Sequence, residues 1–184
     1  GAPVPPEIHE RLKIIAPQAI TNTPYGATES LPVANITGPE VLSGLTDATR
    51  DGKGICVGKP VPPNRVEIIR IDDAPIGEWS DTLVLPAGEI GEITVQGPTV
   101  TRRYYQDDLA TALHKMKDGD RFWHRIGDLG YKDNEGRIWM CGRKGHRVET
   151  TRGLLCTVCV EAIFNQHDNV FRSALVGLSE RPEQ

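Results

Sequence analysis

The feature that most constrains this chain is the run from Lys59 to Arg143, where short segments of alternating apolar and polar residues are separated by turn residues. RVEIIRI, DTLVL and GEITVQG have the period of two that sends one face of a strand into a core. RFWHRIGDLGYKDNEGRIWMCGR follows, and the DNEG turn between its alternating halves predicts a hairpin over Asp128 to Arg143. Such a region folds as a small antiparallel sheet or barrel. Asp107 to Met116 interrupts it with acidic residues in a first turn and apolar residues at helical spacing, which predicts one short helix.

The flanks have a different texture. Pro5 to Ala16 opens with proline and sets Ile8, Leu12 and Ile15 on one stripe, the pattern of an amphipathic helix. Gln18 to Asn22 predicts a short buried strand, and TPYGATES a loop after it, where α/β proteins place ligand contacts. Thr37 to Gly58 is a polar connection with a short helix expected after Pro39. Beyond the hairpin, Val158 to Asn165 predicts a helix and Phe171 to Leu178 a strand.

Composition narrows the function classes. The 21 basic and 25 acidic side chains give a formal charge of -4, without the basic excess of a phosphate-backbone binder, so nucleic acid is not an expected partner. No stretch approaches the roughly 18 apolar residues of a transmembrane helix and the first residues lack the basic and then apolar regions of a signal peptide, so a cytoplasmic protein is expected. The four cysteines form no framework of a secreted mini-protein and are expected to be reduced. The 184 residues begin without methionine, and a fragment is expected.

Three strings carry candidate chemistry. In Tyr25-Gly26-Ala27-Thr28-Glu29 an aromatic ring can stack on a base, glycine admits a phosphate to the backbone, threonine can bond a phosphate oxygen, and glutamate can hold Mg²⁺. Read alone, that string is more often a turn. In Arg125-Ile126-Gly127-Asp128-Leu129 a carboxylate at a strand end can accept bonds from two vicinal ribose hydroxyls; a plain turn aspartate is the commoner use. In Gly142-Arg143-Lys144-Gly145-His146-Arg147, Arg143 can clamp a ribose or phosphate, although clustered Arg and Lys are more often solvated.

The order of these strings resembles the adenylate-forming superfamily of AMP-dependent synthetases and ligases, over nearly the whole chain. Its YGxTE, GExxxxG, GD and GRxx motifs match Tyr25 to Glu29, Gly91 to Gly97, Gly127-Asp128 and Gly142-Arg143. The resemblance implies an α/β fold: residues 1–58 end the adenylate-binding subdomain, 59–142 form a small antiparallel β-barrel, 143–147 form a hinge, and 148–184 begin an α+β C-terminal domain. It implies ATP or AMP and Mg²⁺ as ligands. Gly1, Ala2 and Pro3 would line the adenine pocket, Tyr25 and Gly26 would pack on the nucleotide, and Thr28 would touch the α-phosphate. Glu29 would bind the metal, Asp128 the ribose hydroxyls, and Arg143 a ribose or phosphate oxygen. Thr28 and Glu29 are the implied catalytic pair. The family's phosphate loop and its C-terminal lysine have no counterpart here, so the fragment alone is expected to be inactive.

GRKGHRVETTRGLLCTVCVEAIFNQH and PYGATESLPVA are most similar to a fatty-acid-CoA-ligase-like subgroup that includes β-lactone synthetases of olefin biosynthesis. There, a fatty or β-hydroxy fatty acid is adenylated and its own hydroxyl releases AMP. CoA is then not needed, and Leu154 and Leu155, replacing polar residues of a CoA-ligase pattern, count against it. The alternatives are a fatty-acyl-CoA synthetase and a non-catalytic nucleotide-binding or interaction module; association with other enzymes stays open. Cys156-Thr157-Val158-Cys159, with Cys141 and His146 nearby, also invites a zinc or redox reading, but a redox CxxC usually opens a helix, and buried structural thiols are expected. His124, beside Trp123 and Arg125, is expected to be a strand residue near the site.

Overall fold

The structure, a computed structural model, describes residues 4–178. Eight strands form one antiparallel sheet: β1 (Asn22–Ala27), β2 (Ser30–Thr37), β3 (Ile55–Pro60), β4 (Arg65–Ile69), β5 (Gly91–Gln96), β6 (Lys115–Asp118), β7 (Arg121–Lys132) and β8 (Ile138–Arg143). Their order is β1-β2-β3-β8-β7-β5-β4, with β6 on β7. A hairpin of β9 (Val148–Thr150) and β10 (Gly153–Leu155) follows. The helices are α1 (Pro6–Ile15), α2 (Asp108–His114) and α3 (Thr157–Phe164), together with helical turns over 38–53 that begin at a Thr37–Glu40 capping box.

The alternating pattern is realised most fully in β5, whose six residues are all buried between β4 and β7. Ile93 and Val95 enter the main core with Val33, Val57, Val66, Ile68, Ile126 and Ile138. Glu92, Thr94 and Gln96 are buried too, so each needs an internal partner. Thr94 donates to the Glu67 carbonyl, Gln96 donates to Asp118, and Glu92 takes Arg125. A second apolar cluster gathers Ile69, Leu83, Met116 and Trp123, with Trp79 stacked on Trp123 at 3.9 Å between centroids.

The predicted 128–143 hairpin is β7–β8, and its turn is held by Asp133, which accepts from the backbone of Glu135 and Arg137 and from the Trp139 indole. Five expectations need correction. Residues 18–21 are not a strand; the chain enters β1 at Asn22 and TPYGATES is a hairpin, with Thr28-Glu29 as its two-residue turn. The α1 stripe is not buried among the described residues: Ile8, Leu12 and Ile15 are exposed, and the helix docks instead through His9, whose ring nitrogens bond Thr21 and Thr23. DTLVL is a 3-10 turn over Asp81–Leu83 that reaches the sheet only through an Ile69–Val84 bridge. Helix α2 stops at His114, because Lys115 is already extended and starts β6. Residues 171–178 pair with no strand; the amides of Ser173 and Leu175 donate instead to the side chains of Asn165 and Glu161.

One polar group organises the middle of the sheet. Arg125 and Glu92 are fully buried and bonded through two guanidinium nitrogens, and Arg125 also donates to the carbonyls of Asp72, Ala74 and Leu113. Lys144 adds a third cationic donor to the same carboxylate oxygen, at 3.3 Å. Removing one partner strands the other charge in the core, a loss of about 3–5 kcal/mol. Arg125→Ala and Glu92→Ala should therefore each lower the urea midpoint by that equivalent, and the Arg125→Met/Glu92→Leu double variant should recover most of it. Equal losses in the single and double variants would contradict this.

Candidate functional site

Asp128 lies within the long β7 strand rather than at a strand end as expected, in register opposite Arg143, the last residue of β8. Its carboxylate is buried and used at both oxygens: Arg143 Nη1 approaches Oδ1 at 2.9 Å, and the Tyr25 hydroxyl donates to Oδ2 at 2.7 Å. Tyr25 lies on β1, four strands away in the sheet order, so this bond closes the sheet's outer hairpin over β7. Gly26 makes the local bulge possible: a Cβ there would sit 2.5 Å from the Ser30 carbonyl oxygen. Burial pushes the Tyr25 phenol well above its ordinary range, and the neighbouring Asp128 charge adds to it. Burial also raises Asp128, opposed by its bonds to Tyr25 and Arg143.

Glu29 sits at the tip of the same hairpin, where Thr28 is exposed. It does not bond the Tyr25–Asp128–Arg143 group. Instead Oε1 accepts from the Tyr104 hydroxyl at 2.7 Å, and the Glu29 carbonyl accepts from the Thr101 amide at 2.8 Å. Behind it, buried Lys115 donates to Thr101 Oγ1 and lies 5.6 Å from the Tyr104 ring centroid. His124 is buried beside His114, its Nδ1 on the His114 carbonyl oxygen at 3.2 Å.

Of the residues singled out in the sequence, Tyr25, Asp128 and Arg143 come into direct contact, while Gly26, Thr28 and Glu29 share the β1–β2 hairpin with Tyr25. Gly1, Ala2 and Pro3 lie outside the described residues. Tyr104, Thr101 and Lys115 were missed. Lys115 carries no signal of its own, since a lysine at the end of an amphipathic helix reads as a solvated charge. Tyr104 follows two arginines and precedes the acidic start of α2, a signal that points only to a helix boundary.

A family profile described as AMP-binding enzyme matches residues 1–105. The chain belongs to the AMP-binding enzyme family. Olefin beta-lactone synthetase of Xanthomonas campestris pv. campestris is 52% identical over 190 residues, covering 100% of this chain and 34% of that protein. The synthetase of the same name from Stenotrophomonas maltophilia is 52% identical over 184 residues, covering 97% and 33%. The chain thus spans about a third of the length of these relatives. Among solved structures, O-succinylbenzoate coenzyme A synthetase from Bacillus subtilis, in complex with ATP and a magnesium ion, superposes with a TM-score of 0.72. It is 23% identical, and the match covers 98% of this chain and 33% of that one, a likeness of fold. The fold is the expected mixed α/β one with an antiparallel sheet.

In this member of the family the Glu29 side of the candidate site is electrostatically tuned. The Tyr104 hydrogen bond, with smaller help from His124 and Lys115, holds the Glu29 carboxyl below its usual range. Desolvation brings the Lys115 ammonium down to about 8, and desolvation followed by the Lys115 charge brings His124 down to about 4. Folding therefore opposes protonation of His124. Between the ordinary value of 6.5 and about 4 the unfolded chain binds the proton and the folded chain does not, so stability falls as pH drops through that window. The loss attributable to His124 is about 3 kcal/mol. Comparison of urea unfolding at pH 4 and pH 7 should show His124→Gln to be less acid-sensitive than the parent; an unchanged pH dependence would contradict it.

Proposed function

We propose that this chain is the nucleotide-holding part of an ATP-dependent, AMP-forming enzyme that adenylates a fatty or β-hydroxy fatty acid and closes it to a β-lactone. The observation that carries the reading is the convergence of Tyr25, Asp128 and Arg143, a ring, a buried carboxylate and an exposed guanidinium, in one cluster. A carboxylate fixed in this way can exchange its protein donors for two vicinal ribose hydroxyls, while the Tyr25 ring offers a face to adenine and Arg143 follows a ribose or phosphate oxygen. Thr28 is exposed at the hairpin tip and would touch the α-phosphate.

Glu29 fits the magnesium ion that accompanies ATP. The ion is usually held by one or two carboxylates plus phosphate oxygens, and Glu29 is ionised, half-buried and fixed by Tyr104 at one oxygen. Bound there, the ion would neutralise charge on the phosphates. The chain's own residues orient the carboxylate: Tyr104 fixes Glu29, and the Lys115 charge lies behind it. In the first step the substrate carboxylate attacks the α-phosphorus and pyrophosphate leaves. In the second the β-hydroxyl oxygen attacks the acyl carbon, AMP leaves, and the hydroxyl proton is lost to solvent or base. The two synthetases at 52% identity support lactone formation over thioester formation.

The same reading divides the chain. Residues 1–58 would end the adenylate-binding subdomain, with Gly1, Ala2 and Pro3 at the adenine pocket, and 59–142 would form the β-barrel. Residues 143–147 would be the hinge and 148–184 the start of the small domain. The β2–β3 pairing, Ala34 with Pro60 and Asn35 with Lys59, would then join the first two units as one rigid body. Among the described residues no helix is long and apolar enough to cross a membrane. We place the parent enzyme in the cytoplasm, where it would receive its acid from, or pass its lactone to, partner enzymes.

The full-length protein, given a 3-hydroxy fatty acid, ATP and Mg²⁺, should release AMP and an acid-labile neutral product without CoA. A thioester formed only when CoA is added would reverse the assignment. Asp128→Ala should weaken ATP binding about 10- to 100-fold, the worth of one or two bonds to a charged group, with an unchanged fold by circular dichroism. Unaltered ATP affinity would refute the role.

A further inference from the structure

The CxxC string is not absorbed by nucleotide chemistry, and the structure alters its reading. Cys156 is the N-cap residue of α3 and Cys159 lies in the first turn, so the pair does open a helix. The end of β8 touches that helix start: a Cβ on Gly142 would lie 2.5 Å from Thr157 Oγ1. Cys141 on β8 and Cys156 are buried in one cluster with Leu129, and Cys159, the most accessible of the three, packs against it. Cys141 Sγ donates to the Trp139 carbonyl oxygen at 3.9 Å. Cys56 belongs to a different cluster, with Ile36 and Trp139. Among the described residues no group of three His, Cys, Asp or Glu could hold a metal ion.

We propose that Cys141 and Cys159 are a redox modification site, forming a reversible disulfide that ties β8 to α3 across residues 143–147. The order of attack follows from accessibility and acidity. The neighbouring Cys141 thiol keeps Cys159 below the ordinary thiol range, whereas Cys141 is raised by Cys159 and by burial; Cys156 is pushed up to about 11 by burial and then by the Cys159 charge. Cys159 thiolate attacks one sulfur of a small-molecule disulfide, forming a mixed disulfide and releasing one thiolate. Cys141 then attacks the Cys159 sulfur, displaces the second small thiol and closes the protein disulfide. The two cysteines lose two electrons and two protons, and the small disulfide gains them as two thiols. The product is a covalent loop spanning the segment proposed above as the hinge, and only the consequence for turnover rests on that reading: a stapled hinge cannot rotate.

The full-length protein is incubated with oxidised glutathione, alkylated, digested with trypsin without reduction, and mapped by mass spectrometry. The expected product joins the peptide 138–143 to the peptide 153–172, is lost on dithiothreitol treatment, is absent from Cys159→Ser and persists in Cys156→Ser. A bond within 153–172, a cross-link that survives Cys159→Ser, or free Cys141 and Cys159 after oxidation would overturn the site. Oxidised parent protein should lose overall turnover and regain it with dithiothreitol, while Cys159→Ser keeps its turnover under the same treatment. Full turnover in a fully cross-linked sample would overturn the staple's effect on the hinge. If the reduced protein shows no ATP–pyrophosphate exchange, the adenylation reading fails, whereas the peptide map still decides the disulfide.

Discussion

The buried Arg125–Glu92 pair fixes where everything else in the middle of this chain can stand. Two charges held entirely out of water are tolerable only when their bonds are complete, and Arg125 meets that condition by gathering Glu92, two backbone carbonyls of the loop after β4 and one of α2. One oxygen of Glu92, Oε1, has no hydrogen-bond partner, so the pair depends heavily on Oε2, which takes both Arg125 and Lys144. Because Arg125 and Asp128 share β7, fixing the first sets the register of the second. Lys144 extends the same network into the segment after β8, and Arg147 reaches Asp73 at 2.5 Å from there. The stretch proposed as a hinge is thus held by charged contacts rather than by apolar packing, contacts that can be exchanged at lower cost than a packed core.

The two halves of the candidate site divide the electrostatic work. Around Asp128 a buried carboxylate is kept with one neutral and one cationic donor, an arrangement that hydroxyl groups of a ligand can replace bond for bond. Around Glu29 the carboxylate is more exposed and held ionised, with the desolvated Lys115 and His124 behind it. A neutral His124 keeps the positive charge beside Glu29 from growing beyond that of Lys115.

How much of this was legible in the sequence depended on whether local pattern or tertiary context decided the outcome. The β7–β8 hairpin was readable because period-two alternation and the DNEG turn agree, and Asp133 completes the turn chemistry within the same seven residues. Tyr25 was placed in a loop because Pro24 and Gly26 are turn residues; β1 is an edge strand, where proline costs no ladder bond and glycine can bulge. The 171–178 segment has strand composition, but composition supplies no partner strand, and helix side chains took its amides instead. Asp128 and Arg143 were legible as chemistry only through the order of four motifs; their contact follows from register, which single-sequence pattern does not carry. Lys115 was illegible because its burial is made by β7 and Tyr104, distant in pattern from the helix that precedes it.

The central claim is that the Tyr25–Asp128–Arg143 cluster, where the β1–β2 hairpin meets β7 and β8, receives an adenosine. A crystal structure of the full-length protein with AMP tests it most directly. The account predicts adenine against the Tyr25 ring, both ribose hydroxyls bonded to the Asp128 carboxylate, and the phosphate beside Thr28. Nucleotide bound at any other surface, with the Tyr25–Asp128–Arg143 contacts intact, would contradict it.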